Sequence, residues 1–237
     1  MIAIPAVDLR GGACVQLVGG DPAQERVRIS DPVSVVRRFE RAGFHRLHLV
    51  DLDAATDTGS NRREVEEILR DTSAAVQVGG GVRSTDTIEQ LLDAGAEHVI
   101  VGTRALEEPD WLAHVASLYP GALIVATDVR ERRLVTRGWV RTLPLDAVDV
   151  VQELNAHALG GILVTAVHLE GRMRGPDLTL MEDVAEASHW PIIASGGIAS
   201  IEDIRALEHR GITAVVLGMS LYTGTLDPLR VAQEFGG

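Results

Sequence analysis

Two aspartates, Asp8 and Asp128, end closely similar runs, Ala6-Val7-Asp8 and Ala126-Thr127-Asp128, 120 positions apart. Two carboxyl groups held apart by one scaffold can serve as general acid and general base on a shared substrate. Two glycine turns repeat in the same way. Val78-Gly79-Gly80-Gly81-Val82-Arg83-Ser84 leads to Ile100-Val101-Gly102-Thr103, and Ala194-Ser195-Gly196-Gly197-Ile198-Ala199-Ser200 leads to Val216-Leu217-Gly218-Met219. Gly80 and Gly196, Gly95 and Gly211, and Gly102 and Gly218 are each 116 positions apart. Such turns expose backbone N–H groups just before a helix begins, a favourable place for a phosphate. Gly80, Gly81, Gly102 and Thr103 make one candidate cradle; Gly196, Gly197, Gly218 and Met219 make the other. Two cradles imply a small ligand phosphorylated at both ends, its middle lying between the carboxylates.

The elements that must position these groups alternate along the whole chain. Short apolar runs predict strands at 2–7, 46–50, 75–78, 98–101, 123–127, 162–164, 191–194 and 214–217, with amphipathic segments between them. Ser30-Asp31-Pro32 opens the first helix, Asn61 is placed to cap the second, and Ser84 and Ser200 cap those after the glycine turns. Gly43, Gly95 and Gly211 stand where helices stop. Eight strand–helix units of this length predict one α/β domain over residues 1–237, a TIM (β/α)8 barrel built from two homologous (β/α)4 halves. In a barrel, strands one and five are diametrically opposed, so Asp8 and Asp128 should face one another across the mouth. A doubly wound sheet explains the alternation but not the half-to-half repeat. Two longer connections, 9–29 and 129–143, are candidate lids.

Composition excludes several functions. No lysine occurs among the 22 basic residues, which removes Schiff-base chemistry, pyridoxal anchoring and a phosphate-loop lysine. A formal net charge of −12 argues against nucleic acid as a partner. No apolar run reaches membrane-spanning length, and no secretory signal is evident. Cys14 is the single cysteine, so no internal disulfide forms, and a cytoplasmic location is expected. Aromatic residues are 3% of a chain that is 46% hydrophobic, so the core must be aliphatic. The histidines show no ligand spacing, and no metal is expected. Asp51 and Asp53 read as structural hydrogen-bond acceptors, and Cys14 as a packing residue.

The chain resembles the phosphoribosylformimino-aminoimidazole-carboxamide ribotide isomerases of histidine biosynthesis. The resemblance rests on Ile4-Pro5-Ala6-Val7-Asp8-Leu9-Arg10-Gly11-Gly12, His48-Leu49-Val50-Asp51-Leu52-Asp53, Gly79-Gly80-Gly81-Val82-Arg83, Val125-Ala126-Thr127-Asp128, Gly138-Trp139 and Ala194-Ser195-Gly196-Gly197. These stretches span nearly the whole chain in the family's order.

The resemblance implies a cofactor-independent Amadori rearrangement of an aminoaldose to an aminoketose, with a bisphosphorylated ribonucleotide as substrate; separately, a monomer is expected. Asp8 matches the family's base and Asp128 its acid. Gln16, Arg83, Trp139, Thr165 and Ser195 match substrate-contacting positions, and Gly175 lies in a loop that helps hold one phosphate. One stretch departs from the family pattern, Thr165-Ala166-Val167-His168-Leu169-Glu170-Gly171-Arg172. There Glu170 replaces the usual aspartate and counts among the substrate-binding candidates, and His168 adds a titratable group. The related cyclase subunit usually carries a lysine in its first loop, and this chain has none, which argues against it. Two alternatives stay open. A bifunctional isomerase would also accept phosphoribosylanthranilate. A barrel could also bind sugar phosphates without turnover.

Overall fold

The computed structural model describes residues 1–237. Eight parallel strands form the barrel: β1 (Ile2–Arg10), β2 (Arg46–Asp51), β3 (Ala75–Gly79), β4 (His98–Val101), β5 (Leu123–Arg130), β6 (Gly161–Ala166), β7 (Ile192–Ser195) and β8 (Ala214–Leu217). Each pairs with the next, and β8 pairs with β1, closing the cylinder. All eight predicted strands are present. Their neighbours are buried on both faces, which is why they read as continuous apolar runs.

Helix signals are largely obeyed. Asp31 caps Pro32–Ala42 through the Ser34 N–H, and Gly43 ends that helix in the left-handed conformation. Ser84 and Ser200 accept from Thr87 and Asp203 at matching helix starts. Asn61 precedes Arg62–Asp71 but its side chain makes no cap bond. It is drawn instead into a buried network, described below. The main core, of which Phe39, Leu47, Ile68, Leu112 and Val164 are typical, fills the space between barrel and helices. A smaller set, including Ile4, Ile100, Ile124, Leu163 and Ile193, fills the barrel interior.

The two long connections are antiparallel ribbons rather than irregular loops. β1 turns at Gly11-Gly12 into Ala13–Leu17, which pairs with Glu25–Ile29. β5 turns at Glu131-Arg132 into Arg133–Thr136, which pairs with Arg141–Asp146. The repeat therefore extends through the turns: Asp8 pairs with Val15, and Asp128 with Val135. Both turns are left-handed at both central residues, with φ of 55° and 73° at Gly11 and Gly12 and 49° and 69° at Glu131 and Arg132.

Traced through the pairings, the register falls by eight residues in one circuit of the barrel. Opposed strands thus differ by four residues at equal height. Asp8, Gly81, Asp128 and Gly197 consequently share one level at the mouth. Beneath lie small inward residues, Ala6, Gly79, Ala126 and Ser195, and then His48, Ile100, Leu163 and Val216.

Candidate functional site

Asp8 sits at the upper end of β1 and takes one hydrogen bond from Gln16 Nε2 at 3.2 Å. Burial pushes its carboxyl up to about 7, the nearby Glu170 charge adds to this, and the Gln16 amide opposes it. Gln16 is itself buried and packs against Gly218. Across the barrel, Asp128 accepts from the Trp139 indole N–H at 2.8 Å. Its carboxyl is raised by burial, against the lowering effect of Trp139 and the Thr165 hydroxyl. Thr165 is the residue paired with Asp128 in the β5–β6 ladder.

Glu170 completes a group of three carboxyls. Burial raises it to about 7, the Asp128 charge adds to the rise, and the Ser195 hydroxyl and Gly171 N–H lower it. Its Oε2 is enclosed and has no partner. The added methylene relative to aspartate thus still delivers a carboxyl into the mouth. His168 points elsewhere: its Nε2 lies 3.8 Å from Asp177, beside the following helix (Leu178–Ala187).

The site has a polar floor. Gln77 Nε2 lies 2.8 Å from His48 Nδ1, both inside the barrel. Burial holds His48 down to about 4, so the ring is neutral. Nδ1 accepts from the amide and Nε2 carries the ring proton.

The repeated glycine turns keep matched backbones. Gly80 and Gly196 have φ of 99° and 101°, and an added Cβ at either would collide with backbone of the preceding strand's end, at Asp51 and Ala166 respectively. Gly102 and Gly218 begin the short helices Thr103–Glu107 and Met219–Tyr222 with nearly identical φ and ψ, and no side chain caps either start. In the second half this leaves a small cleft lined by Glu170, Ser195, Gly196, Gly197, Gly218 and Met219. The Gly175 N–H donates to the Gly197 carbonyl, which fixes the loop after β6 against that turn. In the first half the Thr103 hydroxyl accepts from the Arg137 N–H at 3.0 Å, so the second ribbon lies over that cradle.

Three segments meet above the carboxyls. Trp139 packs on Gly20, the Gly19 N–H donates to the Glu170 carbonyl, and Gly171 abuts the backbone of Leu17 and Val18. This closure is what enclosed the carboxyls and raised them.

The chain matches the family described as "Histidine biosynthesis protein" over residues 2–227. The chain belongs to this histidine biosynthesis family. Among its relatives, the protein of Gemmatimonas aurantiaca is 63% identical with full coverage of both chains. That of Myxococcus xanthus is 49% identical, again over 100% of each. That of Methanocaldococcus jannaschii is 37% identical over 96% of each. All three carry the name 1-(5-phosphoribosyl)-5-((5-phosphoribosylamino)methylideneamino)imidazole-4-carboxamide isomerase.

Most residues expected from the histidine biosynthesis family's pattern converge: Asp8, Gln16, Asp128, Trp139, Thr165, Glu170 and Ser195 all border the mouth. Arg83 does not reach in. Its guanidinium donates to the Ala54 and Ala55 carbonyls and pairs with Asp57 at 2.7 Å, on the outer side of the first cradle. The carbonyl end of the short helix Leu52–Ala55, which Asp51 caps through the Ala54 N–H, attracts the cation there. Asp51 and Asp53 are structural acceptors, as their positions suggested. Asn61, 1% exposed, donates to both, its Oδ1 accepts from Gly12 N–H, and Asp53 accepts from Gly11 N–H. The first ribbon's turn is thereby fastened to the barrel. His48 and Gln77 were not among the expected site residues; polar residues at inward positions of otherwise apolar strands were the available clue.

Proposed function

We propose that this chain is a 1-(5-phosphoribosyl)-5-((5-phosphoribosylamino)methylideneamino)imidazole-4-carboxamide isomerase that opens the ribose ring and converts the aminoaldose to the aminoketose. The observation that carries the reading is the group of three enclosed carboxyls set between two repeated glycine cradles. The names borne by relatives of full length support it.

The reaction needs a proton at the ring oxygen, cleavage of the C1–O bond to an iminium, and removal of the C2 proton. The enolamine then takes a proton at C1 and loses the proton of its 2-hydroxyl, leaving a ketone at C2. No electrons leave the substrate, so paired acid and base groups suffice. Asp8, with its carboxyl near neutrality, is matched to proton abstraction at physiological pH. Asp128 on the opposite wall is assigned the proton donor. The phosphates at Gly80-Gly81 with Gly102-Thr103, and at Gly196-Gly197 with Gly218-Met219, would hold the ribose in register without touching reacting atoms. Gln16, Trp139, Thr165 and Ser195 line the path between them.

A second assignment of the acid has a specific observation in its favour. Asp128 accepts from Trp139 and Thr165, both of which favour the carboxylate, whereas Glu170 is raised to about 7 by burial and by Asp128 itself. On this reading Glu170 donates and Asp128 keeps it protonated. A carboxylated ring would call for a cation near Trp139; Arg137, two residues before it, is paired with Glu107, so the phosphoribosylanthranilate reading gains no support from this arrangement. A spectroscopic turnover assay with the ribonucleotide substrate tests the main reading; tight binding without turnover would overturn it. Asp128→Asn against Glu170→Gln separates the two acids, the true donor losing at least about 10²-fold in kcat.

A further inference from the structure

Glu107 lies outside the mouth, at the end of the short helix that starts from the first cradle. It nevertheless gathers both arms of the second ribbon. Its carboxylate accepts from Arg137 Nε at 3.3 Å and from an Arg137 terminal nitrogen at 2.9 Å. It also accepts from Arg141 at 2.9 Å and from the Thr136 hydroxyl at 3.4 Å. These donors straddle Gly138 and Trp139. Besides these bonds the tip is held by the Arg137 N–H on the Thr103 hydroxyl and by Trp139 itself: Arg137, Gly138, Val140 and Arg141 are exposed, and no apolar side chain of the tip is buried. The tip is also conformationally unfavourable, since Arg137, Gly138 and Trp139 have consecutive φ values of 56°, 66° and 68°. Side-chain-bearing residues resist that region unless surrounding contacts impose it. In this conformation Trp139 donates to Asp128 and packs on Gly20.

We propose that Glu107 is a positioning residue for the proposed isomerisation, clamping the two arms of the second ribbon so that Trp139 closes over Asp128. The clamp acts through Trp139 and touches no reacting atom. It rests on the functional reading above only for its kinetic consequence.

The test uses the full chain and the variants Glu107→Gln, Trp139→Phe and their combination. Acrylamide quenching of ligand-free protein, with the Trp139→Phe signal subtracted, reads the lid directly. Glu107→Gln is expected to raise the Trp139 quenching constant about threefold and to lower kcat/KM about 10-fold, the size of a lost charge-assisted bond at a partly exposed site. In the Trp139→Phe background the same substitution should change kcat/KM by less than about twofold. Unchanged quenching, or an equal kinetic loss in both backgrounds, overturns the proposal. Should Glu107→Gln fail to fold, the paired Arg137→Gln/Arg141→Gln variant removes the clamp from the other side, with the same expected and refuting results. If the wild type shows no isomerase turnover, the functional reading falls while the quenching result still decides the clamp.

Discussion

Replacing Glu170 with glutamine isolates one charge from a crowded site. Asp8 is raised from 3.8 to about 7, with burial the largest cause and Glu170 the next. Glutamine preserves shape and burial but removes the charge, so it should recover less than half of that rise, roughly one pH unit. Asp8 must be deprotonated to act as base, so kcat/KM climbs with pH through its pKa. The acid limb of the profile, expected near pH 7 in the wild type, should therefore move down by about one pH unit in Glu170→Gln. The height of the plateau reports separately on proton donation: a fall of about 10² or more makes Glu170 the donor, and a fall of a few-fold leaves that role to Asp128. The assay is kcat/KM between pH 5 and 9 with the ribonucleotide substrate. An acid limb that does not move would refute the electrostatic contact between Glu170 and Asp8.

Other outcomes follow from the same geometry. Asp8→Asn removes a buried acid whose folded pKa lies above its unfolded one, so wild-type stability is greatest below the unfolded value and declines as pH rises toward about 7. The variant's gain in Tm should accordingly grow from pH 4 to pH 8, reaching about 5 °C by calorimetry. Asn61→Ala leaves the Asp51 and Asp53 carboxylates short of a donor and Gly12 N–H short of an acceptor, and should cost about 3 kcal/mol in denaturant unfolding. Gly197→Ala places a methyl against the Gly175 carbonyl at a left-handed position, and should raise KM at least about 10-fold while kcat changes less.

The barrel was legible because its signals are local and repeated. Eight apolar runs, helix caps at Asp31, Ser84 and Ser200, and glycines in constant spacing each report their own neighbourhood. The ribbons were harder. Ala13-Cys14-Val15-Gln16 is buried on both faces and shows no alternation, and Glu131-Arg132 adopts a turn that side-chain-bearing residues seldom signal. The catalytic candidates could be paired by repeat symmetry alone. Their protonation could not, because it depends on closure by Trp139, Gly19 and Gly20, contacts between segments far apart in the chain. Arg83 illustrates the limit most clearly: a cation beside an anion cradle was drawn to the last carbonyls of a one-turn helix, too short to show an apolar period.

The barrel's pitch also decides where the chain can change length. Adding one residue within β1 or β5 would swing its acid from the lumen into the helix layer and lift every later side chain of that strand out of step. Between strands no such constraint applies. The two halves already differ there, since Leu49-Val50-Asp51 and Leu163-Val164-Thr165 stand 114 positions apart while the aspartates stand 120 apart. Insertions and deletions among homologues should therefore gather in the connections, and a grafted loop should be tolerated where a single-residue insertion in a strand is not.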